Sequence, residues 1–374
     1  MPAVSSVAVI GGGVAGFATA VLLAEAGVAV DLVEAQPDVT ALGSGITLQG
    51  NALRLLRRLG VWEQVRRAGY CFDSIGLRLP SGELLAEVSD TRTGGPDLPA
   101  TAGMYRPDLA RLLADRAVAL GVKVRTGTSP TSLAQDVDGV DLLFSDGSGG
   151  RYDLVAGADG VRSWTRGAMG IELETRATGM GIWRAFTPRP ASVTRTELCY
   201  GGVAHIAGYC PTGEDSLYAY LVEDAQDRSA LSPAEKLAAM RELAEQYQGP
   251  WIEIRARLVD ADRVHYTWFE THLLDGPWHR GRVVLIGDAA HCCPPTLAQG
   301  AAMALEDAAV LAELLLAADD LDDRLWSSFT ARRLERVRTV VDASLHIGRM
   351  VAAGDQSGVP ELMNRVSTLV SEPA

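Results

Sequence analysis

The sequence predicts an α/β protein: a Rossmann-like nucleotide-binding domain with a mixed β-sheet domain inserted into it. Three observations predict this. The chain opens on an apolar run, a glycine-rich turn and an Ala/Leu-rich segment. Two later apolar runs each end in a Gly/Asp cluster. Between those clusters, from about Ala177 to Leu274, the pattern changes to short strand-like segments.

The opening unit comes first. Val7 to Ile10 is a short apolar run that suits a buried parallel strand. Gly11-Gly12-Gly13-Val14-Ala15-Gly16 follows and matches G-x-G-x-x-G. Phe17 to Ala26 reads as a helix stopped by Gly27, and Val28 to Val33 as a second strand ending at Glu34. Gly11 allows the tight turn, Gly13 lets the backbone approach a pyrophosphate, and Gly16 lets helix and strand pack closely. Free N–H groups and a positive dipole end meet the phosphates. Glu34, 23 residues after Gly11, is placed to accept ribose hydroxyls and would repel a 2′-phosphate. The strand–turn–helix–strand–acid context is what makes the motif meaningful. By itself it leaves NAD and FAD both open. Val7 to Ala24 is uncharged over 18 positions, but four glycines inside it favour a soluble unit over a membrane span.

Composition bounds the rest. At 374 residues the chain has room for two domains. A net charge of −13 repels phosphate backbones, which excludes nucleic acid as the expected partner. Five cysteines without C-x-x-C make neither a disulfide framework nor a zinc site. The first basic residue is Arg54, so no charged leader opens the chain, and a cytoplasmic protein without a membrane anchor is expected.

The second motif is Gly157-Ala158-Asp159-Gly160-Val161-Arg162-Ser163, after the run Tyr152 to Ala156. The third is Gly287-Asp288-Ala289-Ala290-His291, after Val283 to Ile286, running through Pro294-Pro295 and Gln299-Gly300 to Glu306-Asp307. Each puts an Asp at the carboxyl end of a strand, where open α/β sheets bind ligands. His291 has no companions at metal-ligand spacing.

Together these motifs resemble the FAD-dependent aromatic hydroxylases, single-component flavoprotein monooxygenases of the p-hydroxybenzoate hydroxylase fold. Supporting matches are Gly43-Ser44-Gly45-Ile46, Tyr105-Arg106-Pro107-Asp108-Leu109, Trp278 with Gly281-Arg282-Val283, and Arg332-Arg333-Leu334-Glu335-Arg336. Ala298-Gln299-Gly300-Ala301 gives the chain its nearest likeness to hydroxylases of small aromatic acids and pyridines. The resemblance implies FAD, with Gly11, Gly13, Val14, Ala15 and Gly16 at the pyrophosphate. Glu34 and Ala35 would lie at the adenosine ribose (many relatives carry Arg where Ala35 stands). Gly45 and Arg106 would lie along the cofactor, Asp159 near the pyrophosphate with Arg162 fixing its loop, and Asp288 on the ribityl chain. Gln299, Gly300 and Ala301 would place a helix amino terminus at the anionic edge of reduced flavin, worth roughly 0.3–2 kcal/mol. Pro295 would stiffen the loop beside the oxygen-reactive carbon.

The same resemblance divides the chain into a discontinuous FAD domain (1–72, 98–176 and 275–345), a substrate domain (73–97 and 177–274) and a C-terminal helical segment (346–374). Strands are expected near 73–90, 181–186, 203–209, 254–258 and 264–269. Ser232-Pro233-Ala234-Glu235 is a capping box opening a helix. Substrate-facing candidates are Gln49, Arg184, His205, Tyr209, Tyr218, Tyr220 and Thr296. His205 and Tyr209 repeat a spacing found in some pyridine hydroxylases, and four residues apart on a strand means one face. A histidine there would act as base towards a ring hydroxyl.

The implied activity is hydroxylation of a small aromatic or heteroaromatic substrate with NAD(P)H and O2 through a C4a-hydroperoxyflavin. There is one Rossmann unit, so NADH or NADPH would visit the flavin transiently. A monomer or homodimer is expected. Alternatives on the same frame are a flavin-dependent reductase, an epoxidase, or a redox-silent FAD-binding protein.

Overall fold

The computed structural model describes residues 2–39 and 45–374. Gly43 and Ser44 of the expected cofactor loop lie outside the described residues. A six-stranded sheet forms one layer, in the order His279–Arg280, Val283–Leu285, Leu154–Gly157, Ser6–Ile10, Ala29–Val33, Lys123–Arg125. Ser6–Ile10 pairs in parallel with both Leu154–Gly157 and Ala29–Val33. Leu154–Gly157 also pairs in parallel with Val283–Leu285, so all three glycine motifs leave the sheet at the carboxyl ends of neighbouring strands. Gly11 stands at φ 106°, and a Cβ there would come within 2.4 Å of the Ala158 carbonyl oxygen. The first and second motifs touch through bare backbone.

The helix Val14–Glu25 packs against the long helix Gly300–Ala317. Both are Ala/Leu-rich and buried over most of their length. On its other side, Gly16 lets the helix Val14–Glu25 lie close to the turn and strand before it: a Cβ on Gly16 would sit 1.9 Å from the Gly11 carbonyl oxygen.

An eight-stranded sheet forms the second layer. Its order is His291–Cys292, Val264–Leu273, Arg176–Pro188, Ser216–Asp224, Ile206–Pro211, Thr196–Tyr200, Ser74–Arg78, Leu84–Ser89. The segment near 73–90 joins this sheet, through a parallel pairing of Ser74–Arg78 with Thr196–Tyr200. The strand expected at 254–258 is instead the end of a helix, Pro250–Arg257. Pro250 takes its first turn after Gly249 (φ 65°), and Trp251 and Ile254, three apart, are buried. The capping box closes as expected, with Ser232 and Glu235 bonding reciprocally at the start of Pro233–Ala244.

A small sheet, Gly45–Gln49, Thr101–Tyr105 and Tyr70–Phe72, bridges the two layers. The C-terminal part holds the helices Asp323–Ala352 and Val359–Ser371. The expected break at 345/346 falls inside the first of these. Its buried positions Val337, Val340, Val341, Ser344, Ile347 and Val351 continue one helical stripe. Among the described residues no helix is long and apolar enough to cross a membrane.

Replacing Gly16 with Ala should lower stability by about 1–3 kcal/mol through overpacking. Urea unfolding of the two proteins checks this; equal midpoints would mean that the helix–strand contact is looser than described.

Candidate cofactor and substrate site

The nucleotide end is built from backbone. Gly13 precedes the helix Val14–Glu25, which has no side-chain cap and no acidic residue in its first turn. Its first N–H groups have no intrahelical acceptor. A Cβ on Gly13 would meet no atom within 4 Å, so that side of the turn is open. Glu34 is held beside the turn by two N–H donors, Gly12 at 2.7 Å and Gln36 at 2.8 Å. Each of its oxygens retains a lone pair for a further donor. Ala35 is exposed.

Asp159 stands at the second motif, but its carboxylate builds the loop. It accepts the Ser163 hydroxyl, and the Thr165 N–H and hydroxyl at 2.8 and 2.9 Å. Arg162 reaches away to Glu270 at 3.0 Å. The residue that ties this loop to the third motif is the buried Arg166, which donates to the carbonyls of Val161 and Ala289.

At the third motif, Asp288 follows the strand Val283–Leu285; it is exposed to solvent yet surrounded by protein, as on the wall of a cleft. Those surroundings desolvate its carboxyl and push it up, against the opposing charges of His291 and Arg106. The Asp288 carbonyl accepts from His272 Nε2 at 2.9 Å, and Thr175 meets the other ring nitrogen. Arg106 begins the helix Arg106–Ala119, is exposed, and has no carboxylate partner among the described residues. Its charge bears on both Asp288 and Tyr218, so it stands where the cofactor loop and the substrate sheet meet.

Behind this loop lies a buried ionic network. Asp307 accepts from the Gly287 N–H (2.8 Å), His291 (2.6 Å) and Arg333 (2.7 Å). Glu306 is held by Arg333 (2.8 Å) and by two nitrogens of Arg336 (2.7 and 2.9 Å). Burial pushes both carboxyls up, but these partners outweigh it and hold both below their ordinary values. Arg336 and Arg54 also cap the carbonyls that end Val359–Ser371.

The substrate sheet has two faces. Trp183, Tyr209, Leu217, Ala219 and Leu221 form a core with Met240, Trp251 and Ile254 of the covering helices. The alternate residues, Ile182, Arg184, Phe186, Tyr218 and Tyr220, face the other way. Phe186 stacks on Tyr105 of the bridging sheet at 4.1 Å. Tyr218 lies against Gly45, with its ring 5.1 Å from that of Tyr220. Arg184 donates to the Tyr218 hydroxyl (3.2 Å) and to Thr267, and has no carboxylate partner among the described residues. Thr296 donates to the Ser344 carbonyl at 2.7 Å, and Gln49 to the Leu297 carbonyl at 3.1 Å. Pro295 is exposed and opens a short turn ending at Ala298, the one described non-glycine residue at positive φ (52°).

One placement needs correction. Tyr209 is 1% exposed on the helix-covered face, where its hydroxyl bonds Glu197. His205 lies in the bend before the strand Ile206–Pro211, bonded to the exposed Asp224 at 2.9 Å. Four-residue spacing gives a shared face only when every residue is in the strand. The expected His205–Tyr209 pair therefore does not stand with Tyr218 and Tyr220.

The open turn at Gly13, the uncapped helix, Glu34, and the cleft at Arg106 and Asp288 fit an extended dinucleotide with a ring at its far end. A family model described as an FAD binding domain matches residues 4–344. The chain belongs to the FAD-dependent aromatic hydroxylase family. Its cofactor is FAD. This hydroxylase is 32% identical over 348 residues to 6-hydroxynicotinate 3-monooxygenase of Bordetella bronchiseptica, covering 89% of this chain and 90% of that one. It is 30% identical over 348 residues to 2-heptyl-3-hydroxy-4(1H)-quinolone synthase of Pseudomonas aeruginosa, covering 91% and 88%. A crystal structure of a 2-methyl-3-hydroxypyridine-5-carboxylic acid oxygenase mutant superposes with a TM-score of 0.81 at 27% identity, covering 97% of this chain and 96% of that one.

Sequence reasoning did not assign Asn51, Arg166, His272, Arg333 or Arg336 to the hydroxylase site. The motif Arg332-Arg333-Leu334-Glu335-Arg336 carried a signal for two of them. It places Arg333 and Arg336 three residues apart, on one side of a helix, and the neighbouring pair Glu306 and Asp307 earlier in the chain offers two carboxylates to receive them.

Removing one partner from a buried ion pair leaves the other charge stranded. Arg333→Met should therefore cost about 3–5 kcal/mol, read by chemical denaturation; a loss below about 1 kcal/mol would mean that the network contributes no more than a surface pair. Burial also pushes the His272 imidazole down to about 4 from its ordinary 6.5. The folded protein stays neutral there while the unfolded chain takes up a proton. Stability should fall as pH drops from about 6.5 towards 4, and His272→Gln should flatten that limb. Unfolding free energies measured across this window check the slope; an unchanged limb in His272→Gln would assign it to other groups.

Proposed function

We propose that this protein hydroxylates a small aromatic or heteroaromatic substrate, with NAD(P)H as reductant and O2 as oxidant. The observation that carries the proposal is the face formed by Tyr105, Phe186, Arg184, Tyr218 and Tyr220, with Arg106 linking it to Asp288. When bound, FAD supplies the electron transfer and oxygen activation.

The chain's own residues do the rest. Gly11, Gly13, Val14, Ala15 and Gly16 receive the pyrophosphate, Glu34 the adenosine ribose, and Asp288 with Arg106 the ribityl stretch. Gln299, Gly300 and Ala301 bring a helix amino terminus to the ring, where it favours negative charge. Tyr105 and Phe186 make a flat apolar wall, and Tyr218 and Tyr220 a second. Arg184 can only donate, so the hydroxyl oxygens of Tyr218 and Thr267 accept from it and their hydrogens remain free. The polar side of this face is therefore rich in donors. It suits a ring bearing a carbonyl, phenolate or carboxylate. Two relatives named above are called after a hydroxynicotinate and a hydroxyquinolone, rings of the same heteroaromatic kind. One Rossmann unit serves FAD, so NAD(P)H meets the ring at the open side of the cleft.

The test is a panel of hydroxylated aromatic and pyridine compounds, scored for stimulated NAD(P)H oxidation and for a product heavier by one oxygen. At least one compound should do both, and Tyr218→Phe should raise its KM by about tenfold, the worth of one hydrogen bond to substrate. A protein that binds FAD but whose flavin NAD(P)H fails to reduce with every compound would overturn the reading in favour of a redox-silent flavoprotein.

A further inference from the structure

We propose that Asn51 and Gln49 are positioning residues for the flavin. Through Gln299 they keep the amino terminus of the helix Gly300–Ala317 free to face it. The inference rests on the FAD reading of the site and adds a device to it.

Gln299 occupies the position just before the helix. A short polar side chain there (Ser, Thr, Asp or Asn) would turn back and accept an N–H of the first turn. Gln299 makes no such bond. Its Oε1 accepts from Asn51 Nδ2 at 3.0 Å, and its Nε2 donates to Gln49 Oε1 and to Asn51 Oδ1, the latter at 3.3 Å. Asn51 Nδ2 also reaches Glu306 Oε1 at 3.3 Å, and Gln49 Nε2 reaches the Leu297 carbonyl at 3.1 Å.

The polarity of this chain is determined at both ends. An ionised carboxylate only accepts, so Asn51 must turn its NH2 to Glu306. Its carbonyl is then left for the Gln299 NH2. A backbone carbonyl also only accepts, so Gln49 must turn its NH2 to Leu297 and its carbonyl to Gln299. One sequence of donors therefore runs from Asn51, which is anchored on Glu306, through Gln299 and Gln49 to the Leu297 carbonyl in the loop ahead of the helix.

Asn51 and Gln299 are fully buried, so water cannot replace a lost bond between them; Gln49 is half-buried. Gly50 seats it, since a Cβ there would lie 2.5 Å from the Gly94 nitrogen, and Thr93 takes the Asn51 N–H. The result is a helix start with no side-chain cap and no acidic residue in its first turn. The direction in which a Gly300 Cβ would point is empty within 4 Å.

The test uses the FAD-loaded protein and its apo form. Asn51→Leu keeps the volume and removes every bond of the amide; Gln49→Leu is a less buried second variant. Three readouts are compared: apo-protein melting, FAD dissociation constant, and midpoint potential of the bound flavin. Both variants should bind FAD roughly tenfold more weakly, the worth of one buried hydrogen bond. Both should shift the potential to more negative values, because reduced flavin loses its aligned dipole. If Asn51→Leu does not fold, Gln49→Leu decides. Variants that keep the parent's dissociation constant within twofold and leave its potential unshifted overturn the relay, as do variants whose weaker binding comes with an unchanged potential. A parent protein that binds no FAD would instead overturn the cofactor reading itself.

Discussion

Two adjacent carboxylates, Glu306 and Asp307, are buried in the middle of this protein, and the site depends on what neutralises them. Arg333 is fully buried and bonds both; Arg336 completes Glu306. An isolated buried charge would cost several kcal/mol. The pairing is therefore a geometric demand as well as an electrostatic one: the helices Gly300–Ala317 and Asp323–Ala352 must meet in one register for it to close. Once they do, Asp307 has an oxygen left for the Gly287 N–H and for His291. The loop bearing Asp288 is thus set by a network below it. The same network carries Glu306 to Asn51, and Arg336 to the carbonyls at the end of the last helix.

Above that foundation the binding surface is mostly backbone. The three glycine motifs converge because the strands that precede them, Ser6–Ile10, Leu154–Gly157 and Val283–Leu285, lie side by side and parallel. Asp159 shows how little of a motif's chemistry need touch a ligand. Its carboxylate is consumed by Ser163 and Thr165, and its contribution is the shape of the loop. Arg106 and Arg184 are the opposite case. In a chain of net charge −13, two guanidinium groups near one cleft have no carboxylate among the described residues. Their positive charge is available to the anionic parts of a cofactor or substrate.

What was legible in the sequence follows from how local each signal is. The Gly11–Gly16 turn, the Ser232 capping box and the Gly/Asp clusters are written in neighbouring residues, and they sit where those residues require. The segment 254–258, expected as a strand, lies at the end of the helix Pro250–Arg257; its short apolar spacing suits either period, and Pro250 behind a positive-φ Gly249 decides it. The expected His205–Tyr209 face fails twice: Tyr209 turns to the helix-covered side, and His205 stands in the bend before Ile206. The ionic network was opaque for a different reason. Glu306 and Arg333 are 27 positions apart, and nothing local says that their helices face each other.

The proposed function requires this protein to join molecular oxygen to an aromatic ring. Turnover of an accepted ring compound under isotopically labelled O2, in unlabelled water, reads this step in the mass of the product. One labelled oxygen atom is expected in the product. A product carrying oxygen from water, or NAD(P)H consumption that ends only in peroxide with every ring offered, would contradict it.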